Sequence, residues 1–305
     1  MDTVDNITEL IGGTPLIRLR RVARADGAAV YAKWERCNPG GSVKDRPAQN
    51  MIRCAEEEGR LRPGMTIIEP TSGNTGIGIA MVAAARGYRA VLVMPDTMTR
   101  ERIAILKAYG AQIVLTPGAL RMGGAVEKAE ELRAELGDDA IVLGQFDNPA
   151  NPDAHRRTTA LEILEQMDGR LDAFICSAGT GGTVTGTGET LKERVPGVRV
   201  YVVEPKGSPV LSGGRPGPHK IVGTSPGFVP AILNTSVYDR IFQASDEDAM
   251  EMTRRLAREE GILAGVSGGA VVWAALQAAR EFGPDGRLAA LLPDTGERYL
   301  SMDLF

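Results

Sequence analysis

The feature that most restricts the fold of this chain is a repeated alternation of short, β-rich apolar runs with longer stretches of helical period. Residues 66–68 are followed by 76–86, residues 90–94 by 100–109, and residues 112–115 by 125–136. A helix between two strands carries the chain back across the sheet, so successive strands lie parallel. The rhythm continues through 140–143, 155–167, 173–176, 184–194 and 198–203. Further helices fall over 250–260 and 270–281, with a late strand over 288–292. The pattern predicts an α/β protein on mainly parallel, twisted sheets.

With 305 residues, 43% of them hydrophobic, the chain has material for two domains or one large α/β domain. The period breaks near residues 148–152, the best candidate for a crossing between domains. It stops again between 205 and 230, where Gly, Pro and Ser dominate a stretch too long for a routine connection and better suited to a functional loop. The net charge of −4 is spread along the chain, so no field exists to draw in nucleic acid or an anionic membrane surface. The first ten residues hold three acids and no apolar core, unlike a secretory leader, and no apolar run approaches the ~20 residues needed to span a bilayer. Three widely spaced cysteines, Cys37, Cys54 and Cys176, fit reduced thiols better than a disulfide framework. A cytoplasmic protein is expected.

Two turns rich in Gly, Ser and Thr each follow a strand and open a helix. The first is Glu69-Pro70-Thr71-Ser72-Gly73-Asn74-Thr75-Gly76 and the second is Ser177-Ala178-Gly179-Thr180-Gly181-Gly182-Thr183. Such turns aim free N–H groups and a positive helix end at one spot, which suits an anion, although each is also a tight turn in its own right. No segment follows Gly-x-Gly-x-x-Gly and the second turn lacks a Lys-Ser/Thr ending, which disfavours a dinucleotide or a nucleoside triphosphate.

A third turn, Asn38-Pro39-Gly40-Gly41-Ser42-Val43-Lys44-Asp45-Arg46, leads a lysine into a helix expected over 45–58. The positive helix end favours the neutral, nucleophilic amine. A lone lysine of this kind is ordinarily a surface residue. Beside two anion-binding turns it becomes the minimum equipment for pyridoxal phosphate, a reactive amine and a phosphate cradle. In Ala264-Gly265-Val266-Ser267-Gly268-Gly269, Ser267 either caps the following helix or points into a pocket. His155 and His219 stand far apart with no acidic or cysteine cluster at metal-ligand spacing, so structural roles and no metal are expected. A serine-hydrolase nucleophile elbow on a strand-to-helix turn is not expected.

Taken together, these segments resemble the cysteine synthases (O-acetylserine sulfhydrylases), within the fold-type II, tryptophan synthase β-like pyridoxal-phosphate enzymes. The likeness runs from Ile11-Gly12-Gly13-Thr14-Pro15-Leu16 to Gly296-Glu297-Arg298-Tyr299-Leu300-Ser301, and the lysine turn and the first Gly/Ser/Thr turn are highly specific as a pair. The resemblance implies two three-layer α/β domains with the cofactor between them. Residues 1–40 and 146–305 would form the larger, cofactor domain, and residues 41–145 a smaller, mobile domain that takes the substrate carboxylate.

It further implies a role for each matching position. Lys44 would bond the cofactor and move the Cα proton, and Asn74 would lie beside the cofactor's 3′ oxygen. Gly179, Thr180, Gly181, Gly182 and Thr183 would cradle the phosphate, with Ser267 facing the pyridine nitrogen. Thr71, Ser72, Gly73, Thr75 and Gln145 would hold the substrate carboxylate, and Gly223 would face the substrate side chain. The implied reaction is β-replacement of O-acetyl-L-serine by sulfide to give L-cysteine and acetate. The rivals are an O-phosphoserine sulfhydrylase, a cystathionine β-synthase, a serine or threonine dehydratase and a non-catalytic binding relative. A homodimer and a serine acetyltransferase partner are also implied. Two departures bear on the substrate: the loop Gly223-Thr224-Ser225-Pro226-Gly227-Phe228 is less apolar than usual, and Gly265-Val266-Ser267-Gly268-Gly269 holds one serine where many relatives hold two. No regulatory extension like that of the larger cystathionine β-synthases is expected after Phe305.

Overall fold

A computed structural model of the chain describes residues 3–23, 26–71, 73–302 and 304–305. Two compact units form, one from Met1–Ile11 and Asn38–Asn151, the other from Gly12–Cys37 and Pro152–Phe305. By its contacts the N-terminal segment groups with the smaller unit, where the resemblance had implied the larger. Two side chains explain it: Asn6 Nδ2 donates to the Ala85 carbonyl (3.2 Å) and Gln49 Nε2 to the Thr8 carbonyl (2.8 Å). At the other boundary Asn50 Nδ2 donates to the Ala150 carbonyl at 2.7 Å, which draws residues past 145 into the smaller unit.

In chain order the elements are β1 (Leu16–Arg18), β2 (Ala29–Trp34), α1 (Asp45–Glu57), β3 (Thr66–Pro70), α2 (Asn74–Arg86), β4 (Arg89–Pro95), α3 (Arg100–Ala108) and β5 (Gln112–Thr116). Next come α4 (Arg121–Leu136), β6 (Ala140–Val142), α5 (Ala150–Ala154), a π turn (His155–Thr159), α6 (Ala160–Gln166), β7 (Ala173–Ser177), α7 (Gly182–Arg194) and β8 (Arg199–Pro205). The chain closes with β9 (Arg240–Ala244), α8 (Asp246–Arg255), α9 (Val266–Ala278) and β10 (Arg287–Leu292). Among the described residues no helix is long and apolar enough to cross a membrane.

The smaller unit is a parallel sheet in the order β5-β4-β3-β6. Side chains alternate across a strand, and here both faces are covered. Ile67, Leu92 and Met94 pack with α1, α2 and α3, while Ile68, Val91 and Val93 pack with Ala125 and Ala129 of α4. Three layers result, and β3 is buried from end to end.

The larger unit has the sheet order β1-β2-β10-β7-β8-β9, parallel except for the β1–β2 pair. Leu288, Ala290, Ala173, Ile175 and Val203 turn one face toward α8 and α9. On the other face α7 brings Gly188 against Val200. In β2, Lys33 is fully buried, its Nζ donating to the Thr14 carbonyl (2.6 Å), Glu162 Oε2 (2.6 Å) and Gln166 Oε1 (2.9 Å). A buried ammonium needs this full set of acceptors to offset its desolvation.

Candidate active site

In the smaller unit the first turn joins β3 to α2. Thr71 Oγ1 accepts from the amides of Gly73 and Gly76, both at 3.2 Å, so its hydroxyl ties the turn to the opening of α2. Thr75 Oγ1 donates to Gln145 Oε1 at 2.6 Å, and Gln145 Nε2 donates to the Pro70 carbonyl at 3.0 Å. Gln145, remote in sequence, is thus fastened into the turn. Asn74 is the half-buried first residue of α2. Ser72, the remaining residue expected here, lies outside the described residues.

Lys44 occupies the cap position of α1, half-buried, and its amide donates to Ser42 Oγ at 3.2 Å. Asp45 Oδ2 accepts from the Gly40 amide at 2.6 Å and holds the preceding turn closed. The Lys44 carbonyl lies 3.0 Å from where a Cβ on Gly78 would stand, one helical turn beyond Asn74. The start of α1 is therefore packed against the start of α2, which brings Lys44 to the same end of the unit as Thr71, Gly73, Asn74, Thr75 and Gln145.

In the larger unit the second turn joins β7 to α7. Gly181 caps α7 in the left-handed region (φ 90°) and supplies no side chain to the helix end. The leading amides of α7 are therefore open to a ligand from Gly182 onward. A Cβ on Gly179 would stand 2.4 Å from the Gly223 carbonyl, and one on Gly181 2.7 Å from Leu233 Cβ. The long segment between β8 and β9 is packed onto this turn, with the Ser225 amide also donating to the Ala178 carbonyl at 2.9 Å. Gly223 is thereby brought to the second turn. Ser267, buried, is the second residue of α9, whose cap is Gly265. The cap position that Ser267 was a candidate for belongs to another residue.

Two positions, His155, expected to be structural, and Glu69 of the first turn, have partners that the sequence did not show. His155, fully buried in the π turn, has Nε2 3.3 Å from Thr183 Oγ1 and Nδ1 2.9 Å from Thr159 Oγ1. Glu69, at 0% exposure, accepts from the amides of Gly144 and Gln145. Burial pushes its carboxyl up to about 7 against the pull of those two amides, with a smaller push from Asp147. A glutamate inside the buried strand 66–70 was the one available signal.

Fold and turns define a class: α/β proteins with a glycine-capped helix start in the larger unit and, in the smaller, a lysine at the start of a helix. The residues fit pyridoxal phosphate, because Gly181 leaves the leading amides of α7 without a side-chain cap, as a phosphate would require. Comparison with known proteins agrees. Residues 7–294 match the pyridoxal-phosphate dependent enzyme family, and the chain belongs to it. A probable cysteine synthase of Bacillus subtilis is 61% identical over 305 residues, covering 99% of this chain and 98% of that protein. The crystal structure of an O-ureido-L-serine synthase superposes with a TM-score of 0.96 at 50% identity, covering 100% of this chain and 96% of the other. A cysteine synthase of Entamoeba histolytica superposes with a TM-score of 0.96 at 42% identity, covering 100% and 91%.

Proposed function

We propose that this enzyme is a cysteine synthase that replaces the acetate of O-acetyl-L-serine with sulfide, giving L-cysteine and acetate. The observation that carries the reading is the packing of the Lys44 backbone against Gly78, which puts the lysine turn beside the Thr71–Gln145 turn. The names of the relatives support the choice of substrate.

Bound pyridoxal phosphate supplies an electron sink for the charge that develops at the substrate Cα. Lys44 would hold the cofactor through its side-chain amine, and with substrate bound that amine would take the Cα proton. Thr71, Ser72, Gly73, Thr75 and Gln145 hold the α-carboxylate, which orients the Cα–H bond toward that amine. Gly179, Thr180, Gly181, Gly182 and Thr183 hold the phosphate. Asn74 would contact the cofactor's 3′ oxygen, and Gly223 would border the substrate side chain. The Ser267 hydroxyl would meet the ring nitrogen of the cofactor and, having a pKa far above a carboxylic acid's, would leave that nitrogen neutral. Acetate departs with the Cβ–O electron pair, HS⁻ forms the new Cβ–S bond, and Lys44 returns its proton to Cα.

O-Acetylserine is preferred to O-phosphoserine, because residues 223–234 hold no Arg or Lys to meet a second phosphate. The enzyme works in the cytoplasm as a homodimer and can bind a serine acetyltransferase. To test the reading, the holoenzyme is given O-acetylserine, O-phosphoserine or serine in turn with sulfide or homocysteine. The highest kcat/KM is expected with O-acetylserine and sulfide; a higher value for another pair overturns it.

A further inference from the structure

All five residues of β3 are buried, and four of them are apolar or neutral. The exception is Glu69. A carboxylate at 0% exposure is costly to keep and needs a partner that justifies its place. Its partners are two consecutive amides: Gly144 N donates to Oε2 and Gln145 N to Oε1, each at 3.0 Å. These amides follow β6, which pairs with β3 through Ile68↔Val142. Where backbone pairing ends, the Glu69 side chain takes over and holds the departing chain.

The residue so held is Gln145. With its main chain fixed by Glu69, its carboxamide spans the turn, receiving the Thr75 hydroxyl at 2.6 Å and donating to the Pro70 carbonyl at 3.0 Å. Asn151 Nδ2 adds a bond to the Gln145 carbonyl at 2.8 Å. Without Glu69 the Gln145 peptide keeps that last contact but loses the pair of amide bonds that set its direction. We infer that Glu69 is a positioning residue for the substrate-carboxylate turn, acting through the Gly144–Gln145 backbone to orient the Gln145 side chain and the Thr75 hydroxyl. This rests on the proposal that the turn receives the α-carboxylate.

The test compares Glu69→Gln, Glu69→Ala, Gln145→Ala and the double variant Glu69→Gln/Gln145→Ala as holoenzymes. A Gln side chain keeps one acceptor for two amides, and Ala keeps none. KM for O-acetylserine should rise about tenfold in Glu69→Gln and further in Glu69→Ala, with kcat changed less than about threefold and the visible absorbance of bound cofactor retained. Amide exchange followed by mass spectrometry should quicken at residues 144–145 and not along β3 or β4. Combining Glu69→Gln with Gln145→Ala should raise KM no further than Gln145→Ala alone, since Glu69 acts through Gln145. Additive rises in KM, or a loss confined to kcat and cofactor retention, overturn the inference. Should Glu69→Ala not fold, the Glu69→Gln cycle and its exchange pattern decide. The assays are repeated with O-phosphoserine and serine, which share the α-carboxylate. A wild type that prefers one of these sinks the substrate proposal while the KM cycle still judges Glu69.

Discussion

Thr183 and His155 face one another across the start of α7, with the imidazole Nε2 3.3 Å from the threonine hydroxyl. The imidazole is locked on its other side by Thr159, inside the one stretch of this helix that widens to a π turn. The approach is close because α7 has a glycine, Gly186, where a Cβ would stand 2.0 Å from the Pro152 carbonyl.

His155→Ala should therefore loosen the cofactor rather than abolish chemistry. Losing one buried hydrogen bond to Thr183 corresponds to about a fivefold weaker cofactor affinity, measured by titrating apoprotein with pyridoxal phosphate. Thr183→Ala should weaken binding at least as much. Unchanged affinity in both would remove the pair from the phosphate site.

Lys44→Ala should lose the visible absorbance of bound cofactor and turnover by at least about a thousandfold. Lys44 is the only lysine between residues 34 and 106, so no near neighbour in sequence can substitute. Retained absorbance in the variant would move the covalent bond elsewhere.

Gly179→Ala should be more harmful than Thr183→Ala, because its new methyl meets a backbone carbonyl, that of Gly223, at 2.4 Å. Main chain must shift, and both cofactor affinity and KM for O-acetylserine should worsen together. A variant impaired in cofactor affinity alone would argue that the 223–228 loop lies away from substrate.

The raised pKa of Glu69 has a thermodynamic signature. An acid with a folded pKa near 7 and an ordinary value of 4.5 contributes stability that is present below pH 4.5 and lost as pH rises through 7. That rise corresponds to roughly 3 kcal/mol, while Glu69→Gln cannot titrate. Between pH 4.5 and 8 the unfolding free energy of the wild type should fall relative to the variant by that order. A difference that does not vary with pH would mean Glu69 titrates normally.

Ser267→Ala should change stability by less than about 0.5 kcal/mol in thermal denaturation, because Gly265, not Ser267, caps α9. Ser267→Asp should slow acetate release, since a carboxylate would hold a proton on the ring nitrogen and draw charge away from the leaving group. An Asp variant as fast as the wild type would separate Ser267 from the ring.

Strands covered on both faces were the most legible part of the fold, since β3, β4, β7, β8 and β10 announce themselves as apolar runs. β2 was not foreseen: Lys33 sits within it, and its partners Glu162 and Gln166 lie far along the chain. β9, with exposed Arg240 and Gln243, gave too little apolar signal, and β1 is only three residues long. The helix before Gln166 begins at Ala150, several residues earlier than its period suggested, because Asn148-Pro149-Ala150-Asn151-Pro152 reads locally as a break. Turn glycines and Lys44 were visible because their chemistry is local. The partners of His155 and Glu69 were not, because only folding brings Thr183 and Gly144 near them.

The Gly223 carbonyl lying where a Gly179 side chain would be makes the loop and the cradle one mechanical piece. A lineage that reshapes residues 223–228 displaces the backbone packed on the 177–183 turn, the site proposed for the phosphate. Routes to a new substrate in this scaffold therefore run first through side chains that leave the Gly223 backbone still, and backbone-moving changes become accessible only alongside compensation at Leu233 or Ser225, whose contacts hold the same turn.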